Sequence, residues 1–242
     1  MPMGRRLVNV IALLLATVFY LFGRAEAATL QLEPVSIRLT PEARAAVVRL
    51  RNSGAAPMDV QVRAFRWSQA DGEDRLHATQ ALRISPPIQS IPPGGEQYVR
   101  VLLDEQASPE AEQTFRLLVD ELPTRSGGDG HVRMLIRYSL PVTVRPPGLG
   151  APALTFRVHQ GPDGPQLEAR NAGDRSAQLS DLSLTTASGD VPVTRGLLGY
   201  VLAGQVRRWP LALPPGTTLE QATGITAAVD GSAGRYAFEG AR

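Results

Sequence analysis

The sequence contains no cysteine and no lysine. Without thiols, disulfides, thiolate catalysis and cysteine-based metal centres are excluded, so packing alone must hold the fold. Without lysine, every strong cationic contact falls to an arginine, a planar and permanently charged fork. Aromatic residues are scarce, at 5%. The three histidines, His77, His131 and His159, stand apart from one another. No H-E-x-x-H, G-x-S-x-G, phosphate-cradling glycine loop or EF-hand spacing occurs. Gly127-Gly128-Asp129-Gly130 is glycine-rich but does not lie between a strand and a helix, so it reads as a hairpin loop. The acidic pairs Glu110/Glu112 and Asp120/Glu121 read as solvated faces. The expectation is a protein that is not an enzyme and holds no cofactor.

The N-terminus carries Arg5 and Arg6, an apolar run from Leu7 to Phe22, and then Ala25-Glu26-Ala27. This order predicts a secretory signal over residues 1–27, with Ala28 as the first mature residue and no membrane insertion after cleavage. The other reading, an uncleaved anchor, needs about 20 apolar residues. The leader holds Arg5, Arg6, Arg24 and Glu26, so the mature chain carries 22 basic and 22 acidic residues. A net charge of zero gives a nucleic-acid partner no electrostatic support. What remains after cleavage is long enough for two domains of about 100 residues each.

The mature chain is a series of short alternating runs broken by Pro, Gly, Asn and Asp, with no convincing amphipathic helix. Strands at intervals of about 8–12 residues predict β-sandwiches. In Thr29–Thr40 the apolar parity changes at Glu33-Pro34, where a bulge would let one strand serve two sheets. Met58–Trp67 alternates through Val60, Val62, Phe65 and Trp67 with a similar slip, and Asp71-Gly72 marks a hairpin. Pro146-Pro147-Gly148 to Pro152 divides the chain, predicting one domain over 28–146 and a second, looser β domain over 147–242.

His131–Pro147 stands out. Val132, Met134, Ile136, Tyr138, Leu140, Val142 and Val144 are apolar on every second position, with Arg133, Arg137 and Arg145 between them. At roughly 14 residues this run is about twice the usual strand length. Its C-terminal half, from about Leu140, would complete the chain's own core. Its N-terminal half would present Val132, Met134, Ile136 and Tyr138 to something else. Burying four such side chains is worth roughly 6–12 kcal/mol gross.

Several stretches together resemble the periplasmic pilus-assembly chaperones of the chaperone–usher pathway. Ile84-Ser85-Pro86-Pro87-Ile88-Gln89-Ser90-Ile91-Pro92-Pro93-Gly94 is similar to the family's Pro-Pro segment and Pro-Gly turn. Thr114-Phe115-Arg116-Leu117-Leu118-Val119-Asp120-Glu121-Leu122-Pro123 resembles its sixth strand. The long run ending in Arg145-Pro146, together with Gly199-Tyr200-Val201-Leu202-Ala203-Gly204 and Arg207-Arg208-Trp209-Pro210, extends the likeness over most of the mature chain.

The resemblance implies two immunoglobulin-like sandwiches joined by a Pro/Gly hinge, and a periplasmic location. It also implies pilus subunits and an outer-membrane usher as partners, and donor-strand complementation by the last strand of domain one. A structural pilus subunit or adhesin with immunoglobulin-like domains is the alternative. The best-known branch anchors the subunit's C-terminal carboxylate with an Arg on the first strand and a Lys on the last. Here Ser36 and Pro141 occupy those positions, so the pattern is closer to the divergent, archaic branch, in which an Arg on the sixth strand helps take that role. Arg116 matches that residue, and Arg38 and Arg137 are further candidates for the anchor.

Overall fold

Pro34 ends one strand and lets the chain begin another on a different sheet. The computed structural model describes residues 30–104, 110–123, 134–162 and 164–239. The predicted leader and its cleavage site, the 124–130 loop, His131 and Val132 lie outside the described residues. Strand β1 (Leu30–Glu33) pairs antiparallel with β3 (Ala45–Asn52), whereas β2 (Ile37–Leu39) pairs parallel with β10 (Arg137–Val144). One stretch of chain therefore serves both sheets, as the change of parity predicts.

Between these elements run β4 (Met58–Ala70), β5 (Glu73–Ala78), β6 (Leu82–Ser85), β7 (Ile88–Ile91), β8 (Glu96–Leu103) and β9 (Gln113–Glu121). One sheet has the order β1-β3-β8-β6; the other has β2-β10-β9-β4-β5, with β7 also on β4. Leu50, Val99, Val101, Phe115, Leu117 and Val142, each 0% exposed, fill the space between them. Asp71 and Gly72, both at positive φ (56° and 78°), turn the β4–β5 hairpin.

The second body comprises β11 (Leu154–Gly161), β12 (Gly164–Asn171), β13 (Ala177–Thr186), β14 (Gly189–Pro192), β15 (Leu197–Val201), β16 (Val206–Pro210), β17 (Ala222–Val229) and β18 (Ser232–Glu239). Its strands pair in the order β14-β13-β17-β18-β11-β12-β16, with β15 on β13, around Phe156, Leu167, Leu179, Leu184 and Ile225. Together the two bodies give the two-sandwich, all-β fold that the sequence predicts.

Each body is tied at one corner by a buried asparagine. Asn52 Nδ2 donates to the carbonyls of Ala56 (2.7 Å) and Ile91 (3.1 Å), and its Oδ1 accepts from Gly54 N (2.9 Å). Asn171 repeats this with Arg175 (2.7 Å), Val201 (3.1 Å) and Gly173 (3.0 Å). Both side chains have their hydrogen bonds supplied by backbone, which is what lets them be buried.

Two polar junctions join the bodies. At one, Glu112, whose side chain is 0% exposed, pairs with Arg145 and accepts from Ser176 N (2.7 Å). At the other, buried Gln69 donates to Tyr200 O (2.8 Å) and accepts from Leu202 N (3.0 Å), while Arg208 N donates to Gly72 O (2.9 Å). Glu112 and Asp120 thus do not form solvated faces. Both are buried because long-range arginines reach them, Arg145 in one case and Arg63 with Arg137 in the other.

Candidate functional site

Period-two geometry divides β9 between two faces. Phe115, Leu117 and Val119 point into the first core, so Arg116 stands on the opposite face. Its cross-strand neighbours are Pro141 on β10 and Phe65 on β4. Pairing of β4 with β9 is continuous from Val60↔Glu121 to Arg66↔Phe115. The apparent slip in β4 is therefore no bulge. Val60, Val62 and Ala64 pack inward while Phe65, Trp67 and Gln69 occupy the outer face. Trp67 is only 2% exposed yet belongs to neither core.

What buries Trp67 is an aromatic corner around Arg116. The Arg116 Cζ lies 3.7 Å from the Trp67 ring centroid and 5.3 Å from that of Tyr200 in the second body. The two rings meet edge to face, 5.4 Å apart at 82°. A guanidinium stacked on an indole uses its π-face and leaves its N–H edge unspent. No hydrogen bond or ion pair to that guanidinium forms among the described residues. Burial lowers the Arg116 pKa, with Asp74 and Tyr200 opposing the shift, and a guanidinium remains charged throughout. Burial likewise pushes the Tyr200 phenol up. The Arg116 and Arg38 cations pull it back, and Asp230 acts with burial.

Next to this corner, a cleft of about 70 Å³ opens between the bodies, lined by Ser36, Arg38, Pro141 and Thr143 on one side and Gln178 and Tyr200 on the other. The two uncharged positions singled out in the sequence, Ser36 and Pro141, both fall here. Arg38, exposed on β2, pairs in register with Thr143. Arg116 thus stands by the Tyr200 ring, and Arg38 lines the same cleft as Tyr200. Arg137 does not join them: it binds Asp120 at the far end of β10, where Arg63 holds the same carboxylate at 2.7 Å. Burial would raise the Asp120 pKa, but hydrogen bonds from Arg137 and Arg63 outweigh it and hold the carboxyl below its ordinary range.

The other sequence candidates lie around the start of β10. Regular strand begins only at Arg137, later than the alternation predicts. Met134 is 83% exposed and Leu135 43%. Ile136 is half-buried, and its carbonyl accepts from Glu121 N (3.0 Å). Tyr138 packs against the chain's own core and donates its hydroxyl to Leu30 O (2.7 Å). Further on, Leu140, Val142 and Val144 are buried. Among the described residues no cluster of three or more His, Cys, Asp or Glu is placed to hold a metal, and no helix is long and apolar enough to cross a membrane.

Residues 29–150 match the family model described as pili and flagellar-assembly chaperone, PapD N-terminal domain. The chain belongs to this chaperone family. Solved structures share the family fold along nearly their whole length. One is a chain of the CsuC–CsuE chaperone–tip adhesion subunit pre-assembly complex from archaic chaperone-usher Csu pili of Acinetobacter baumannii. It is 24% identical over 88% of this chain and 99% of that one, with a TM-score of 0.66. The CupB2 chaperone of Pseudomonas aeruginosa is 14% identical, with 86% and 100% covered and a TM-score of 0.58. A chain of the Salmonella enterica SafA pilin–SafB chaperone complex is 14% identical, with 87% and 94% covered and a TM-score of 0.60. No curated protein matches the chain in sequence. The family resemblance read from the motifs is thereby borne out. Sequence reasoning missed the aromatic corner: Trp67 registered only as a parity slip, and Tyr200 only as part of a motif without a role.

Proposed function

We propose that this family member is a non-enzymatic periplasmic chaperone, with residues 1–27 removed on export and two domains over 28–146 and 147–242. It folds and caps pilus subunits by donor-strand complementation and hands them to an outer-membrane usher. The observation that carries this reading is the division of labour along one segment. Leu140, Val142 and Val144 are 4%, 0% and 0% exposed inside their own sandwich, while Met134, a few residues earlier, is 83% exposed. An apolar, alternating lead-in to a core strand has the chemistry to fill an open groove in another sandwich by β-augmentation. In this reading Val132, Met134 and Ile136 enter the subunit. Tyr138, already hydrogen-bonded at home, marks where the donated part joins the chain's own core.

Arg116 supplies the seat for the subunit's C-terminal carboxylate, with Arg38, on the same side of the cleft, as the second cation. Arg137, engaged by Asp120, steadies the start of β10 instead. Uncharged Ser36 and Pro141 in the cleft favour a reading nearer the archaic branch. The CsuC–CsuE and SafA–SafB complexes support a pilus subunit as the class of client. Co-expression of a client subunit with the Met134→Asp/Ile136→Asp double variant tests the reading. Subunit in periplasmic extracts should fall to the level seen without chaperone, and undiminished subunit would refute donor-strand capture.

A further inference from the structure

We infer that Tyr200 of the second body is a positioning residue for the Arg116 anchor, which is therefore assembled only when the two bodies are docked. The inference rests on the reading of Arg116 as the carboxylate seat. Trp67 and Gln69 stand on one face of β4, two residues apart. Trp67 gives Arg116 a surface to stack on, at 3.7 Å from the ring centroid. Gln69 grips the second body at two points, through Tyr200 O (2.8 Å) and Leu202 N (3.0 Å). That grip sets the Tyr200 ring at 82° to the indole, 5.3 Å from Arg116 Cζ, as the second wall of the corner.

The two aromatic walls, meeting edge to face, cover the cation on two sides. The cleft lined by Pro141, the cross-strand neighbour of Arg116, and by Tyr200 itself lies beside it. Without Tyr200 the guanidinium keeps its stacking partner but loses the wall that fixes its orientation. A flexible arginine must then be ordered again each time a carboxylate binds. The π-face of the ring does this work rather than the hydroxyl, for which no hydrogen-bond partner occurs among the described residues. The ligand class is a single terminal carboxylate on an extended chain.

The test uses the full mature chain and an acetylated heptapeptide, Thr-Val-Thr-Val-Thr-Val-Gly, as free acid and as C-terminal amide. Dissociation constants come from Trp67 emission in a Trp209→Phe background. The acid-to-amide preference isolates the carboxylate, because general structural damage weakens both peptides alike. The unaltered corner should prefer the acid by about tenfold. Tyr200→Phe should keep that preference. Tyr200→Leu, which fills most of the space without a π-face, should bring it near one. If Tyr200→Leu keeps the full preference while Arg116→Ala abolishes it, the role of Tyr200 is overturned and the anchor stands. If Arg116→Ala also keeps the preference, or the unaltered corner shows none, the anchor reading itself falls and takes the inference with it.

Discussion

Arg145 at the end of β10 reaches Glu112, a carboxylate with no exposed side-chain surface, and Glu112 in turn accepts from the backbone of Ser176 in the second body. The strand proposed for donation is thus fastened to the domain junction at one end and projects apolar side chains at the other. Removing one partner of a buried pair leaves the other charged and unpaired. Arg145→Ala should therefore cost about 3–5 kcal/mol, read as a lowered denaturation midpoint with unchanged β-sheet circular dichroism at low denaturant. An effect below about 1 kcal/mol would show that water replaces the lost partner.

Much of this architecture was legible in the residues, and the exceptions have physical causes. The sheet switch at Glu33-Pro34 could be read because parity and proline coincide. Strands β7, β14, β15 and β17 leave little trace in the sequence, being short or rich in Gly, Ala and Ser, with little apolar alternation. The β4 slip could not be interpreted because Trp67 is buried by Tyr200, a residue distant in sequence. For the same reason Glu112 and Asp120 looked solvated. The long run before β10 suggested strand from His131, yet regular pairing begins at Arg137, where β9 supplies partners. Arg116 emerged as a candidate through family likeness; its aromatic corner depends on two bodies meeting and left only a faint trace in either half.

Asp120 makes stability sensitive to acid. Its folded pKa lies below the ordinary 3.8 because Arg137 and Arg63 hydrogen-bond the ionised form against the opposing effect of burial. A depressed carboxyl pKa contributes stability fully above its unfolded value and loses it as pH falls through the folded value. Unfolding free energy should therefore drop below about pH 4, and Asp120→Asn should flatten that drop while lowering stability at neutral pH. Denaturant titrations across pH 2–7 check both signs (range chosen to bracket ordinary carboxylate values).

The twin asparagines offer a test of independence. Asn52→Ala removes the partner of two carbonyls and one N–H, and Asn171→Ala that of two carbonyls and two N–H groups, so each should cost about 1–3 kcal/mol. Because the two corners lie in separate bodies, the double variant should add to within about 0.5 kcal/mol. Chemical denaturation of the three variants measures this.

Gly72 is fixed by both conformation and space. Its φ is +78°, and a Cβ there would stand 2.7 Å from Arg208 Cγ, on the turn whose carbonyl receives Arg208 N. Gly72→Val should loosen this junction without unfolding either sandwich. Limited proteolysis between the bodies should accelerate while each core stays resistant.

The absence of cysteine permits a clean probe of the donor segment, since Met134→Cys introduces the chain's sole thiol. Its rate of modification by a water-soluble thiol reagent, measured on the free protein and on the purified chaperone–subunit complex, tests donation most directly. Donation predicts rapid labelling of the free protein and labelling slowed at least about a hundredfold in the complex, as expected for a side chain moved from solvent into a closed core. Equal labelling rates in the two states would contradict it.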